Sequence, residues 1–326
     1  MGIRNLLEYI KPLFKKRNIS DFEGKRLGID GHVWLHKSIY GNNLKMAFDE
    51  NEDSYLIYLK SKVEKLLNMN IIPIFVFDGD SLPLKKKTEE SREKSREAKI
   101  IKAYEYLSKG DTLKAKLEYI RAIDITSKMV YEFTLILDKL NVNYYVAPYE
   151  ADAQLAWMIS HDLVDVVCTE DSDLIAYGCK RLIYKLDLNK WSCQYLIYKD
   201  IIKNELSSFK GWDRDMFLNF CILSGCDYFK LDGISSKTAY KLILKYKDPQ
   251  YIKSKKIKSM DFLESFKKAK NAFTNHVIYC IFSNKQRSLN PVNEEIPSYL
   301  GVVETDEIIT YLLSKSYINP INYTSF

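Results

Sequence analysis

The sequence predicts an α/β fold in which a doubly wound, mostly parallel sheet is flanked by helices. Short continuous apolar runs bounded by turn signals are typical of buried parallel strands. Four such runs occur, at residues 26–29, 71–77, 144–146 and 164–168. Helix-prone segments separate them, and this alternation is typical of a sheet covered on both faces. A third observation is that acidic residues follow each of these runs.

Each run carries acids at or just beyond its last residue, and one more acid follows the helical stretch that ends near Gly225. Ligands of open parallel sheets bind beyond the carboxyl ends of the strands. We therefore expect the acids to converge on one crevice. They are Asp30, Asp78, Glu150, Asp152, Asp171, Asp173 and Asp227.

A cluster of carboxylates needs positive charge beside it. Two like charges about 4 Å apart repel by roughly 4 kcal/mol at an effective dielectric constant near 20. Oxygen ligands without a Cys or His pattern favour Mg²⁺ or Mn²⁺ over Zn²⁺, and two such ions about 4 Å apart can promote hydrolysis of a phosphodiester. The sequence therefore predicts a metal-dependent phosphodiesterase acting on DNA. The alternative is that each acid only caps the following helix. It is disfavoured because seven acids at such positions would then be a coincidence.

Composition indicates one catalytic domain with insertions. The chain has 326 residues, of which 46% are hydrophobic and 28% charged, and its net charge is +6. No apolar run reaches membrane-spanning length and the N-terminus lacks the apolar core of a signal peptide, so we expect a soluble protein that is not secreted. The six cysteines show no metal-ligand spacing and are expected to be free thiols. A basic surface beside an acidic crevice suits a nuclease.

A polar, helix-prone insertion interrupts the α/β pattern between Asp80 and Thr126. We expect one helix over residues 89–110, a break at Gly110 and a second helix over residues 112–123. Because the insertion follows the strand that carries Asp78, it should stand over the site. Most of its charges are expected to be solvated helix pairs, but Lys85 and Arg92 lie close to the strand end.

A second feature is the loop Gly233-Ile234-Ser235-Ser236, followed by a helix that starts near Lys237. Ser235 or Ser236 can cap that helix, whose free N–H groups can hold a phosphate. We expect the lysines that follow to extend a duplex-binding stripe: Lys241, Lys245, Lys247, Lys253, Lys255, Lys256 and Lys258. Beyond residue 290 only a helix over residues 306–313 is predicted.

Several motifs resemble the flap-endonuclease superfamily of structure-specific 5′ nucleases, and the resemblance covers nearly the whole chain. The Tyr149-Glu150-Ala151-Asp152 motif, together with Asp171-Ser172-Asp173, is similar to the exonuclease branch rather than to flap endonuclease proper. The motifs are Met1-Gly2-Ile3, Ile29-Asp30-Gly31, Val76-Phe77-Asp78-Gly79, Ala147-Pro148-Tyr149-Glu150-Ala151-Asp152-Ala153-Gln154 and Thr169-Glu170-Asp171-Ser172-Asp173-Leu174.

The resemblance implies a 5′-to-3′ double-strand DNA exonuclease that also cuts 5′ flaps and uses two Mg²⁺ ions, for which Mn²⁺ can substitute. The seven acids fall on the family's metal-site positions. Lys85 and Arg92 match basic residues of a helical arch that stabilise the scissile phosphate, and the amine of Gly2 would lie near the site after methionine removal. Gly233, Ile234 and Ser235 match a helix–two-turn–helix that grips the uncut strand around a K⁺ ion, and Lys237 is a further candidate DNA contact.

His32 occupies a position where the family commonly has a base-stacking tyrosine, and His36 lies one helical turn further, so both are candidate DNA contacts. The resemblance also implies a monomer that acts in nuclear DNA repair, namely mismatch repair and end resection, on recessed, nicked or flapped 5′ ends, without membrane association. Eukaryotic members carry a long C-terminal tail that binds mismatch-repair proteins. The chain ends about where that tail would begin, which leaves open a shortened chain and a naturally minimal enzyme.

The expected division is a single nuclease domain over residues 1–326. It comprises two parts of the α/β core (1–80 and 129–212), the arch insertion (81–128), the helix–two-turn–helix region (213–290) and a C-terminal extension (291–326). Two alternatives remain. One is a flap endonuclease or junction resolvase of the same superfamily, and the other is a catalytically inert DNA-binding scaffold, against which the seven acids argue.

Overall fold

The computed structural model describes residues 2–41, 54–256, 261–291 and 295–326. Its strands are β1 (Lys15–Asn18), β2 (Arg26–Asp30), β3 (Ile72–Phe77), β4 (Asn143–Val146), β5 (Val166–Thr169), β6 (Arg181–Tyr184), β7 (Ser192–Ile197), β8 (Val277–Cys280) and β9 (Lys285–Ser288). Lys258, one lysine of the expected stripe, lies outside the described residues.

Helices connect these strands and follow them. They are α1 (Leu6–Ile10), α2 (Gly31–Gly41), α3 (Ser54–Asn68), α4 (Lys86–Ser108), α5 (Thr112–Ile120), α6 (Ser127–Lys139), α7 (Ala151–Ser160), α8 (Asp173–Ala176), α9 (Tyr198–Lys203), α10 (Arg214–Ser224), α11 (Ser236–Tyr246), α12 (Pro249–Lys256), α13 (Phe262–Asn275) and α14 (Glu307–Ser314). Short 3₁₀ turns occupy Lys11–Leu13, Ile19–Phe22, Pro83–Lys85 and Ser298–Leu300.

The main sheet has seven strands in the order β1-β7-β6-β5-β2-β3-β4. Strands β2 to β6 run parallel to one another, whereas β7 is antiparallel to both β6 and β1. The chain winds outward from β2 through β3 to β4, and then returns to the other side of β2 for β5 and β6. The direction of winding therefore reverses between β2 and β5, and this is where ligands of such sheets bind.

Two apolar cores cover the two faces of this sheet. Strand β3 shows why: its alternate side chains point to opposite faces. Ile74 and Val76 belong to the core that α7, α10 and α13 complete, while Phe75 and Phe77 belong to the core that α2, α3 and α6 complete. The predicted fold class, a doubly wound and mostly parallel sheet flanked by helices, is confirmed.

The predicted insertion contains two helices, α4 and α5, which pack against each other after β3. Of the 23 residues of α4 only Ala103 is buried, so this helix stands away from the core. Its bounds, Lys86–Ser108, start three residues before the expected 89–110, and α5 ends at Ile120 rather than near residue 123.

The sequence reading missed the strands at one edge of the sheet. All four residues of β1 are exposed, so this strand has no apolar pattern to detect. The helix expected over residues 306–313 is confirmed as α14, with Asp306 as its N-cap. The six cysteines are free and buried, as expected.

Candidate active site

A cleft of about 590 Å³ opens at the carboxyl ends of β2, β3 and β5. Its floor carries five of the seven predicted acids, and the side facing the insertion carries a set of basic residues. The acids are Asp30, Asp78, Glu150, Asp152 and Asp171, and the basic residues are Lys85, Arg92, Arg96, Lys99 and Arg121. The crevice expected from the strand ends is therefore present, and the basic residues on the insertion side outnumber the acids Glu89 and Asp124 that also line it.

Two of the acids do cap helices. The Val33 backbone N–H donates to Asp30 Oδ1 at 3.1 Å, in the first turn of α2. The Ala151 N–H, at the start of α7, donates to Asp78 Oδ1 at 2.7 Å. These contacts orient both carboxylates through one oxygen each. Helix capping and a place in the acidic crevice are thus compatible for the same side chain.

The densest group of acids consists of Asp152, Asp171 and Asp173. Ligand oxygens from these three residues lie within 4.8 Å of one another. Burial, together with the charge of Asp171, raises the pKa values of Asp152 and Asp173 well above the ordinary range of an aspartate. The Asp173 N–H donates to Asp171 Oδ1 at 3.0 Å, which ties the beginning of α8 to the cluster.

The crowded acids fit a divalent cation. Among the described residues, Asp152 Oδ1 and Asp173 Oδ1 are buried oxygens without a hydrogen-bond donor. Burial and then the neighbouring Asp78 raise the pKa of Asp30 to about 8. A buried carboxylate without a partner is costly, and a cation compensates that cost. The donor set consists of carboxylate oxygens, which suits Mg²⁺, Mn²⁺ or Ca²⁺.

Glu150 has a different environment, because three side chains surround its carboxylate. Lys85 and the hydroxyl of Tyr228 both donate to it, and His276 Nε2 lies 3.5 Å from Glu150 Oε2. Burial opposes the charged form of Glu150, but Lys85 and His276 hold its pKa below the ordinary value. Glu150 is therefore a buried anion with neighbours that stabilise its charge.

Lys85 and Arg92 both contact the acids in this structure. Lys85 Nζ lies 3.4 Å from Asp227 Oδ2 in addition to its contact with Glu150, and Arg92 also pairs with Asp227. Burial alone would lower the pKa of Lys85, but Glu150 and Asp227 raise it well above its ordinary value. The two basic residues therefore bring positive charge from the insertion to the acidic floor.

Three further predicted residues, His32, His36 and Gly2, lie in or beside the cleft. His32 Nδ1 accepts from the Asp78 backbone N–H at 3.2 Å, and His36 lines the cleft one helical turn further along α2. Gly2 lies against the cluster, since a Cβ added to it would be 2.2 Å from Asp171 Oδ1. No larger residue fits at this position without displacing that carboxylate.

The loop from Gly233 to Lys237 contributes no lining residue to this cleft. Ser235 Oγ accepts from the Thr238 N–H at 3.2 Å and caps α11, as expected. Gly233 adopts a positive φ of 78°, Ile234 is half-buried against the core, and Lys237 is exposed beside Ser235. The structure therefore places these four residues on a surface of their own.

The sequence reading missed Tyr228 and His276, although both contact Glu150. Tyr228 follows Asp227 directly, so its proximity to a predicted acid was the one available signal. His276 comes 126 positions after Glu150 in a segment that carries no motif. Only the packing of α13 and β8 brings it to the site.

The fold is shared with a family of nucleases. The sequence matches the XPG N-terminal domain over residues 1–99 and the XPG I-region over residues 141–227. The chain therefore belongs to the XPG nuclease family, within the flap-endonuclease superfamily. All seven acids lie within the two matched regions.

Curated proteins that are similar to the chain include several named exonuclease 1. The chain is 36% identical to exonuclease 1 of Drosophila melanogaster over 340 residues, which is 99% of this chain and 46% of that protein. It is 34% identical to the Danio rerio exonuclease 1 over 322 residues, covering 94% of this chain and 40% of that protein. The chain thus spans less than half the length of these two relatives.

Solved structures of the superfamily share the fold. Flap endonuclease-1 from Methanococcus jannaschii aligns with a TM-score of 0.57 at 23% identity, covering 81% of this chain and 83% of that one. The catalytic core of Rad2 in complex with a DNA substrate aligns with a TM-score of 0.56 at 22% identity, covering 83% and 79%. No helix among the described residues is long and apolar enough to cross a membrane.

Proposed function

We propose that the protein is a 5′-to-3′ double-strand DNA exonuclease that also cuts 5′ flaps, acting in DNA repair by a mechanism that uses two metal ions. The observation that carries this proposal is the cluster of Asp152, Asp171 and Asp173, whose ligand oxygens lie within 4.8 Å of one another. Asp152 and Asp171 line the cleft that Lys85 and Arg92 also line. Its relatives named exonuclease 1, at 34–36% identity, favour the exonuclease activity.

Mg²⁺ is the proposed ion, with Mn²⁺ as a substitute, because the ligands are carboxylate oxygens. Asp152, Asp171 and Asp173 would hold one ion through their buried oxygens, and the remaining acids would complete a two-ion site. When bound, the two ions activate a water and stabilise the leaving oxygen of the phosphodiester. Which acid contacts which ion is left open. The full proposed set is Asp30, Asp78, Glu150, Asp152, Asp171, Asp173 and Asp227.

Lys85 and Arg92 are proposed to act on the phosphate as it reacts. Both reach the acids from the insertion, Lys85 in the 3₁₀ turn after β3 and Arg92 on α4. In the protein alone their charges are paired with Glu150 and Asp227. A phosphate that enters the cleft brings a competing negative charge. Both side chains already lie in the site, so they can turn to the phosphate without a further large loss of hydration. After methionine removal, the amine of Gly2, which lies beside Asp171, would lie near the site.

The surface around Gly233 and Lys237 is proposed to hold the uncut strand, with a K⁺ ion bound by the helix–two-turn–helix. Lys237 is exposed at the N-terminal end of α11, next to the capping Ser235. A basic side chain and free N–H groups at a helix N-terminus together favour a phosphate. His32 and His36, which line the cleft, are the proposed contacts to the DNA end.

Lys237→Ala is expected to weaken duplex binding by a similar factor for all sequences, because a phosphate contact carries no base information. The slope of log affinity against log salt concentration should become shallower by roughly one unit. Lys237→Arg, which keeps the charge, should retain the wild-type slope and serves as the matched control. An unchanged slope in Lys237→Ala would mean that this surface does not face DNA.

The proposed substrates are double-stranded DNAs with recessed, nicked or flapped 5′ ends, and mismatch-repair proteins are candidate partners. We also propose a monomer that works in the nucleus. In the proposed domain division, α4 and α5 form an arch over the site, and α10 to α13 belong to the region that binds DNA.

Comparing cleavage rates on three substrates separates this proposal from its rivals. Recessed ends, 5′ flaps and four-way junctions are each incubated with the protein in Mg²⁺. An exonuclease degrades the recessed end fastest, a flap endonuclease prefers the flap, and a junction resolvase prefers the junction. An inert DNA-binding scaffold would bind all three without Mg²⁺-dependent turnover.

A further inference from the structure

The C-terminal extension contains a short segment, residues 297–303, that packs onto the loops of the acidic crevice. We call it the strap. Its 3₁₀ turn, Ser298–Leu300, packs against the 3₁₀ turn Pro83–Lys85, which carries Lys85. Leu300 is fully buried in the core on this face of the sheet. The Asn271 side chain donates to the Tyr299 hydroxyl at 2.7 Å and fixes the strap to α13.

The strongest contact of the strap is with Tyr149, the residue before Glu150. The Val302 N–H donates to the Tyr149 hydroxyl at 2.6 Å, and this hydroxyl donates to the Val302 carbonyl at 3.0 Å. Both hydrogen-bonding roles of the phenol are thereby used on one residue of the strap. The Tyr149 side chain is itself buried, so removing either bond would leave its hydroxyl without that partner in a largely buried position.

Gly301 allows this close approach. A Cβ at position 301 would lie 2.0 Å from Tyr149 Cζ, and the residue adopts a φ of +96°, which L side chains rarely adopt. The strap therefore crosses Tyr149 at a distance that only glycine permits.

Tyr149 in turn connects two loops that carry acids. The Gly79 N–H donates to the Tyr149 carbonyl at 2.7 Å, and the Asp80 N–H donates to the Pro148 carbonyl at 3.0 Å. The Asp78 carboxylate accepts from the Ala151 N–H across the same junction. Through Tyr149 the strap is thus coupled to the backbone just after Asp78 and just before Glu150, and through the Pro83–Lys85 turn it is coupled to Lys85.

We propose that the strap is a positioning element for the metal-site acids and that Tyr149 is its positioning residue. This inference rests on the proposed function, since it assigns Asp78, Glu150 and Lys85 to the reacting site. Residues 78–82 after β3 and 147–150 after β4 have no regular structure of their own. Such segments open more readily than the core unless other contacts hold them. Misplacement of reacting groups by about 1 Å can lower a rate by about 10²-fold.

The test compares Tyr149→Phe with Val302→Ala. The first removes the two hydrogen bonds and keeps the ring, whereas the second trims a side chain that is 76% exposed and keeps the backbone partner. We expect Tyr149→Phe to lower the single-turnover rate in Mg²⁺ by about tenfold, within the range for a misplaced group. Its affinity for a recessed duplex in Ca²⁺ should stay within about twofold of wild type. Val302→Ala should match the wild type in both measurements.

A metal titration provides a readout that does not depend on cleavage. Ca²⁺ that binds the folded protein raises its melting temperature, and the Ca²⁺ concentration that gives half of this increase should be several-fold higher in Tyr149→Phe. A merely structural role would lower the melting temperature without changing that concentration. Gly301→Ala should reproduce both effects, and if it does not fold, Tyr149→Phe alone decides.

A wild-type rate and a wild-type Ca²⁺ midpoint in Tyr149→Phe would overturn the positioning role. Equal losses of rate and duplex affinity would also overturn it, because they would point to general disruption. If the wild-type protein does not cleave DNA, the proposed function fails, and the Ca²⁺ titration still reports on the strap.

Discussion

Asp173→Asn is expected to abolish cleavage while leaving duplex binding nearly intact. Asp173 is the most buried member of the Asp152, Asp171 and Asp173 cluster, and its Oδ1 has no hydrogen-bond donor among the described residues. Asparagine keeps the shape but removes the charge that holds a cation. Residual turnover should be below about one per cent at saturating Mg²⁺, as expected for losing a central metal ligand.

Binding is measured in Ca²⁺, whose larger and looser coordination shell should support duplex binding without turnover. The matched control is Asp162→Asn, an exposed aspartate with a positive φ that asparagine tolerates, and it should cleave like the wild type. Cleavage by Asp173→Asn above about one per cent of the wild-type rate would mean that the ions bind elsewhere.

The same substitution should stabilise the metal-free protein. Like charges about 4 to 5 Å apart repel by roughly 3 to 4 kcal/mol at an effective dielectric constant near 20, so removing one charge relieves part of that repulsion. We expect the free energy of unfolding in a chelator to rise by on the order of 1 kcal/mol, given that partial protonation already reduces the repulsion. Urea unfolding measures this change, and a loss of stability would contradict the crowding.

Lys85→Ala should have the second large effect, lowering the single-turnover rate by about 10²-fold or more while changing affinity far less. Interactions made in the transition state appear in the rate of the chemical step rather than in binding. Lys85 is largely buried between Glu150 and Asp227, so its removal also leaves two buried carboxylates without their cation. For this reason the melting temperature is measured alongside the rate.

Arg92 gives the cleaner test, because it is less buried than Lys85 and, among the described residues, its one ion pair is with Asp227. Arg92→Ala should lower the single-turnover rate strongly. Arg92→Lys should restore it only in part, since a guanidinium offers a planar fork to two phosphate oxygens and an ammonium is a point charge. Lys94→Ala, an exposed residue on the same helix, is the control for a solvated charge, and its effect should stay below about threefold. Wild-type rates in both Lys85→Ala and Arg92→Ala would refute the catalytic role.

The sequence was most informative where the backbone pattern alone determines position. Asp30 ends strand β2, Asp78 and Asp171 follow strands β3 and β5, and the carboxyl ends of parallel strands meet at one edge. Their convergence could therefore be predicted without any knowledge of side-chain packing. The cap of α11 by Ser235 was predictable for a similar reason, because capping depends on the three residues that follow.

Contacts between distant segments could not be predicted in this way. His276 reaches Glu150 only because α13 and β8 pack in the same core as α7. Val302 reaches Tyr149 only because the segment after β9 packs against the loop after β4. Neither contact leaves a periodic or spaced signal in the sequence. Lys85 and Arg92 were identified by resemblance, but their pairing with Glu150 and Asp227 became evident only in the structure.

The most direct test of the central claim is the product pattern from one duplex labelled separately at its 5′ and 3′ ends. A 5′-to-3′ exonuclease with two metal ions should release the 5′ label at once as a short product, and should shorten the 3′-labelled strand into a ladder, in Mg²⁺ but not in a chelator. Early release of the 3′ label, or a pattern that is the same with and without Mg²⁺, would contradict the account.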